Sequence, residues 1–142
     1  MKKTLSLFTI ALLCCGLFVL GSQKLKPKEV EYLEKAMDAE LQFKLPVDEA
    51  KKAWKRIESF IKKYSSMKIK ISDDTVIETL PPTRGMIRYG YRATQTPSGE
   101  EMNIAVACSF GNAFSIEQAN KNAHLLAYYA QTGELIAKLV DK

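Results

Sequence analysis

The stretch "GMIRYGYRATQTPSGEEMNIAVACSF", residues 85–110, decides the fold. Apolar and polar residues alternate along both of its halves, which is the period of a half-buried strand. In residues 85–94, Ile87, Tyr89, Tyr91 and Ala93 share one face, and Arg88, Gly90 and Arg92 share the other. In residues 101–110, Met102, Ile104, Val106, Cys108 and Phe110 fall together, opposite Asn103, Ala105, Ala107 and Ser109. The intervening "TPSGE" is turn chemistry, so the two strands are expected to pair as a hairpin with their large apolar residues inward.

The outward side chains of that hairpin are small, which leaves a shallow floor beside two arginines. Arg88 and Arg92, four apart on one strand face, would stand about 13 Å apart at their backbones. That spacing suits one extended anionic ligand or an acidic strip on a protein. Arg88, Gly90, Arg92, Asn103 and Ser109 are therefore the candidate ligand-binding residues. The competing expectation is that the first helix covers the small residues and the arginines only line its edge.

Upstream, "MKIKIS" and "TVIETL" alternate on either side of Asp73-Asp74, which reads as a turn. They form either a tight hairpin or one long strand with a bulge, because a two-residue turn would set Ile69 against Glu78. Pro81-Pro82 ends the segment. Further upstream, "VDEAKKAWKRIESFIKKYS" places Ala50, Ala53, Trp54, Ile57, Phe60, Ile61 and Tyr64 on one side of a helix. Its other side is basic, and pairs such as Glu58 with Lys62 mark it as a solvated face. Before it, Val30, Leu33, Met37 and Leu41 recur at helical spacing, so a helix is expected over about residues 28–44, stopped by Pro46.

Downstream, Ser115 and Gln118 have the spacing of a capping box. They open a helix whose expected buried stripe is Ile116, Ala119, Ala123, Leu126, Ala127 and Ala130, ended by Gly133. Leu135, Ile136, Leu139 and Val140 form a short amphipathic tail. The sum is an α+β domain: two N-terminal helices, a three- to four-stranded antiparallel meander, then a C-terminal helix, with the helices on one face of the sheet.

Cys108 and His124 are the only cysteine beyond residue 22 and the only histidine in the chain. A catalytic pair needs an exposed thiol within reach of the imidazole. Periodicity sends Cys108 into the apolar interior and leaves His124 on a helix flank, so neither is assigned to catalysis. One histidine and one cysteine do not make a metal site, and no Gly-rich phosphate loop, nucleophile elbow or zinc-protease motif is present. No catalytic residue, metal ligand or cofactor is expected.

The beginning of the chain supplies the clearest statement about location. "MKKTLSLFTIALLCCGLFVLGSQKLKPKE" has two lysines, an apolar run from Leu5 to Leu20, then small Gly21 and Ser22. This is an export signal, with cleavage expected near Gly21 or Ser22. Residues 5–21 are also at the lower length limit for a span, so retention as a membrane anchor stays open. Acylation of Cys14 or Cys15 fits poorly, because Leu13 precedes the first and the apolar run continues past both. The expected organisation is residues 1–22 as signal peptide or anchor and 23–142 as a single domain, periplasmic or extracellular.

With 46% hydrophobic and 26% charged residues, the chain has the make-up of an ordinary folded domain. Its formal charge of +5 falls to +3 once Lys2 and Lys3 are set aside, too small an excess to mark a polyanion ligand. "RYGYR", residues 88–92, resembles the aromatic, glycine, aromatic core of RNA-recognition motifs, but Arg88 and Arg92 depart from the flanking positions and the order of elements differs. A nucleic-acid partner is not expected. The expected function is that of a small, non-enzymatic binding or accessory domain of a cell envelope, with a protein or an anionic envelope ligand as partner. Membrane contact is expected only through the N-terminal segment. The alternatives are a small exported hydrolase using carboxylates such as Glu78, Glu100 or Glu101, and a structural subunit anchored by its N-terminus.

Overall fold

In the computed structural model, which describes residues 24–112 and 115–142, the chain runs α1 (Pro27–Met37), β1 (Gln42–Pro46), α2 (Val47–Tyr64), β2 (Ile69–Ser72), β3 (Val76–Thr79), β4 (Tyr89–Ser98), β5 (Glu101–Phe110) and α3 (Ile116–Thr132), followed by a 3-10 turn at Ala137–Leu139. The strands form one antiparallel sheet in the order β1-β5-β4-β3-β2. The class is α+β, with the helices in the expected sequence order. The leader expected over residues 1–22 lies outside the described residues. No helix among the described residues is long and apolar enough to cross a membrane.

The helix α2 buries the seven residues that its 3.6-residue period singles out: Ala50, Ala53, Trp54, Ile57, Phe60, Ile61 and Tyr64. Asp48 and Glu49 in its first turn and Lys62 and Lys63 in its last oppose the helix dipole favourably. Its outer face is laced by exposed ion pairs, Lys52 with Glu49 at 2.8 Å and Lys62 with Glu58 at 2.7 Å. The indole of Trp54 donates to the Asp73 carbonyl at 3.1 Å, pinning the helix to the β2–β3 turn.

The β4–β5 hairpin is the centre of the sheet. Its strands pair from Tyr89 with Phe110 down to Ser98 with Glu101, leaving a two-residue turn at Gly99-Glu100. Gly99 sits at φ +67°, a left-handed value that glycine adopts at little cost. Pro97 is tolerated inside β4 because the last backbone bond from β4 toward β3 is that of the Gln95 amide to the Thr75 carbonyl at 2.9 Å, two residues before it. Tyr89, Tyr91, Ala93, Ile104 and Val106 face the helices and are buried. Ile87, expected among them, lies outside the strand and is 68% exposed, because the chain turns off the sheet at Arg88, whose amide bonds the Met86 carbonyl.

Residues 69–79 resolve into a hairpin that also carries a bulge. Ile69 pairs with Thr79 but Ile71 with Glu78, so Lys70 is the extra residue. The bulge keeps Ile69 against the core and turns Ile71 to the solvent side. Asp73 closes the turn: its Oδ1 accepts from the amides of Thr75 at 2.7 Å and Val76 at 2.8 Å, and from the Thr75 hydroxyl at 2.8 Å.

The first helix is shorter than its expected span of 28–44. It ends at Met37, and Gln42–Pro46 is a strand on the edge of β5. Alternation at Phe43 and Leu45, which match Ile104 and Met102 on the core side, overrides the helical spacing that reaches Leu41. The sheet therefore has five strands where a three- to four-stranded meander is expected. The buried side of α1 also differs: Glu29, Tyr32 and Ala36 are buried, whereas Val30 and Met37 are exposed. That side packs on α3, where the Tyr32 and Tyr128 rings meet edge to face at 5.3 Å.

Helix α3 buries Ala119, Asn122, Ala123, Leu125, Leu126, Ala127 and Ala130. Ile116, expected on this stripe, is 52% exposed. The capping box expected at its start does not form: the buried Ser115 hydroxyl makes no cap bond and is engaged by the Tyr89 side chain. Gly133 ends the helix as expected, at φ +80° with its amide on the Tyr129 carbonyl at 2.8 Å. The tail then folds back along α3, burying Leu139 and Val140.

Candidate binding face

Because β4 and β5 turn alternate residues to the helices, the intervening residues build the opposite face of the sheet. Register places them in rows. Gly90 lies beside Ser109; Glu78, Arg92 and Ala107 form the next row; then come Thr94, Ala105 and Gln42; then Thr96, Asn103 and Lys44. Ala107, Ser109 and Arg92 are exposed, and Asn103 and Ala105 are half-buried. Among the described residues no helix lies over this face. The expectation that the first helix covers its small residues is overturned, since α1 packs on α3.

Of the five candidate ligand-binding residues, Gly90, Arg92 and Ser109 come together, and Asn103 belongs to the same face about 14 Å along the strand from Arg92. Arg88 does not join them. It precedes β4 in the loop that follows Pro82, so the two arginines are not a pair on one strand. Arg92 is not a free cation either, since Glu78 lies 3.3 Å away and is shared with Lys70 at 3.7 Å. Gly90 is required by packing: a Cβ there would meet the Thr79 hydroxyl at 2.8 Å and the Ser109 hydroxyl at 2.9 Å.

Sequence reasoning missed Gln42 and Lys44, which reach this face because β1 is a strand. Gln42 donates to the Asn103 side chain at 3.4 Å. The signal was the alternation of Gln42, Phe43, Lys44 and Leu45, masked by the helical run before it.

The carboxylates of the hydrolase alternative do not converge. Glu78 lies in the row of Ala107, and Glu101 is six residues away along β5, roughly 20 Å. Glu100 is in the hairpin turn beside Glu101. Paired carboxylates that act on one bond stand about 5–10 Å apart.

Cys108 and His124 have separate partners. His124 Nδ1 donates to the Ala39 carbonyl at 2.9 Å, fixing the connection between α1 and β1. Cys108 is half-buried beside Tyr91 at the edge of the core, and burial pushes its thiol up to about 12, partly offset by the Tyr91 hydroxyl donating to the sulfur. Such a thiol is a poor nucleophile at neutral pH. Burial also raises the Tyr91 hydroxyl well above the ordinary tyrosine value. Among the described residues no group of three or more histidines, cysteines or carboxylates is placed to hold a metal ion.

Comparison of the chain with models of protein families, with curated proteins and with solved structures found no match.

Proposed function

We propose that the chain is an exported, non-enzymatic binding or accessory domain of a cell envelope, and that its ligand sits on the open face of the sheet. The observation that carries this reading is the asymmetry of the sheet. One side is packed by α2 and α3, and the other presents a floor of Ala105, Ala107 and Ser109 bordered by Arg92, Asn103, Gln42 and Lys44. A floor of small side chains gives a partner close access to the backbone, and the bordering amides and cations supply orientation. The ligand class is a protein surface or an anionic envelope component. The leader read over residues 1–22 supports the location.

The test is affinity recovery from the native envelope with the wild-type chain and with Arg92→Ala/Ala107→Glu, followed by mass spectrometry. Both positions are exposed, so the double variant is expected to melt near the wild-type temperature and to lose the partner. Unchanged recovery would remove the sheet face from the function. N-terminal sequencing of the envelope-fraction protein tests the location, with a start near Gly21 or Ser22 expected and an intact Met1 indicating an anchor.

A further inference from the structure

The end of the domain farthest from the β4–β5 turn collects exposed apolar side chains. It is where β3 stops, β4 begins, β5 stops and α3 starts. Leu80, Met86, Ile87, Phe110 and Ile116 are all exposed there. They are held at one place by the backbone: the Gly85 amide bonds the Gly111 carbonyl at 2.6 Å, Leu80 bonds Lys68 at 2.8 Å, and Tyr89 pairs with Phe110. Gly111 has no room for a Cβ, because the carbonyls of Thr83 and Met86 press on it. The loop of residues 80–88 is thus seated on the end of β5, and its apolar pair Met86-Ile87 is displayed by a fixed frame.

The same end is basic. Arg84 and Arg88 flank that apolar pair, and α2 ends beside it with Lys63, whose ammonium lies 5.4 Å from the Tyr64 ring centre. Lys142 approaches the same ring at 5.6 Å. Lys68 enters β2 at this end as well. Among the described residues none of Lys63, Lys68, Arg84, Arg88 and Lys142 is ion-paired, whereas Asp141 nearby is held by Lys121 at 2.7 Å. Unpaired cations around a set of exposed apolar side chains match the two layers of an anionic membrane surface, phosphate headgroups outside and acyl chains beneath. An isoleucine that is 68% exposed is a knob rather than the wall of a groove, and a fluid bilayer accommodates knobs.

We propose that this end of the domain docks on an anionic lipid surface, with Met86 and Ile87 entering the acyl boundary and Arg84, Arg88, Lys63 and Lys68 on the headgroup phosphates. This contact is separate from the leader and does not depend on what the sheet face binds.

The experiment uses the full chain with Ile87→Trp, reconstituted in vesicles of phosphatidylcholine with phosphatidylglycerol, some carrying brominated acyl chains. Trp54 is buried and bonded to the β2–β3 turn at the opposite end of the sheet, so it is an internal reference, and Val47→Trp is an exposed control near that opposite end. The expected result is a blue shift and bromine quenching of the tryptophan at 87 alone, lost in phosphatidylcholine without the anionic lipid and lost when Arg84→Glu and Arg88→Glu are added. Both arginines are exposed, so circular dichroism should show the fold retained. Equal quenching at 47 and 87, or none at 87, would overturn the proposal. Quenching at 87 that is indifferent to anionic lipid would do the same, as would crosslinking of residue 87 to an envelope protein without lipid quenching.

Discussion

Asn122 donates its side-chain amide to the Tyr91 hydroxyl at 3.0 Å, joining α3 to β4 inside the apolar core. The same amide donates to the Asp141 carbonyl at 2.9 Å, and the Asp141 amide returns a bond to Asn122 Oδ1 at 3.0 Å. Tyr91 and Asn122 are both almost fully buried, so every polar atom here depends on its neighbour. Asn122→Ala should cost about 2–3 kcal/mol, because it strands the Asp141 backbone and half of the Tyr91 hydroxyl's bonding. Tyr91→Phe, which removes a partner without a cavity, should cost about 1 kcal/mol. Urea unfolding of both variants and of the double variant gives the coupling directly, and additive costs would mean that the two residues act independently.

Gly133 and Arg56 form a second joint. The Arg56 guanidinium donates to the Ala130 carbonyl at 3.0 Å, at the negative end of α3, and lies 3.1 Å from where a Cβ on Gly133 would stand. Gly133→Ala therefore meets both a left-handed backbone and a side chain with little freedom to move. A loss of about 1–3 kcal/mol is expected. In an Arg56→Ala background the same substitution should cost less, because only the backbone part remains. Equal costs in the two backgrounds would dismiss the contact with Arg56.

Alkaline pH should loosen the domain through Cys108. Its thiol is pushed up to about 12 in the fold from an ordinary 9.0, chiefly by burial. Between these values the unfolded chain gives up its proton first, so stability is complete below about pH 9 and falls as pH rises toward 12. The Tyr91 hydroxyl, also raised by burial, adds to the fall at the upper end of that range. Melting temperatures taken from neutral to alkaline pH should decline less in Cys108→Ala than in the wild type. Native Cys108 should also resist a thiol reagent at neutral pH, and rapid labelling would contradict its burial.

The acid side is governed in part by Asp73. Three hydrogen bonds from Thr75 and Val76 hold its carboxylate below the ordinary value. A depressed folded pKa gives stability that is present above about pH 4 and is lost as pH falls through the folded value. Asp73→Ala should lower the melting temperature at neutral pH and shrink the difference from wild type on acidification. Asp73→Asn keeps an acceptor for the turn and should recover part of the loss without the pH dependence.

Legibility in the sequence followed how many residues spoke for one period. In α2 the stripe from Ala50 to Tyr64 repeats over four turns, and all seven of its residues are buried. The β4–β5 hairpin is as plain: Arg92, Asn103 and Ser109 lie on its outer side, with Gly90 buried beside Ser109. The strand β1 spans only Gln42–Pro46, too short for its alternation to outweigh the helical run that precedes it without a glycine or proline between. Arg88 joins the outer face only if the alternating pattern is extended through a loop. What ends β4 at Tyr89 is long-range, the bonds of Ser66 to Tyr89 and the seating of residues 83–86 on Gly111, and neither has a local signature. Likewise Asn122 reads as a surface residue until the tail that satisfies it is in place.

That tail gives the first helix an unusual dependence on residues far down the chain. Glu29, in the opening turn of α1, is held by Lys138 at 2.6 Å and by the Lys26 amide at 2.9 Å, and the Tyr32 hydroxyl bonds the Glu134 carbonyl at 3.0 Å. The side of α1 that leaves the ribosome early thus waits for partners more than a hundred residues later, as the Tyr32–Glu134 separation of 102 shows. Synthesis order and closure order run opposite to each other, so α1 stays open until residues 134–138 have been made. Closure of the domain is thereby tied to its tail: α1, made first among the described helices, is the last of them to lock.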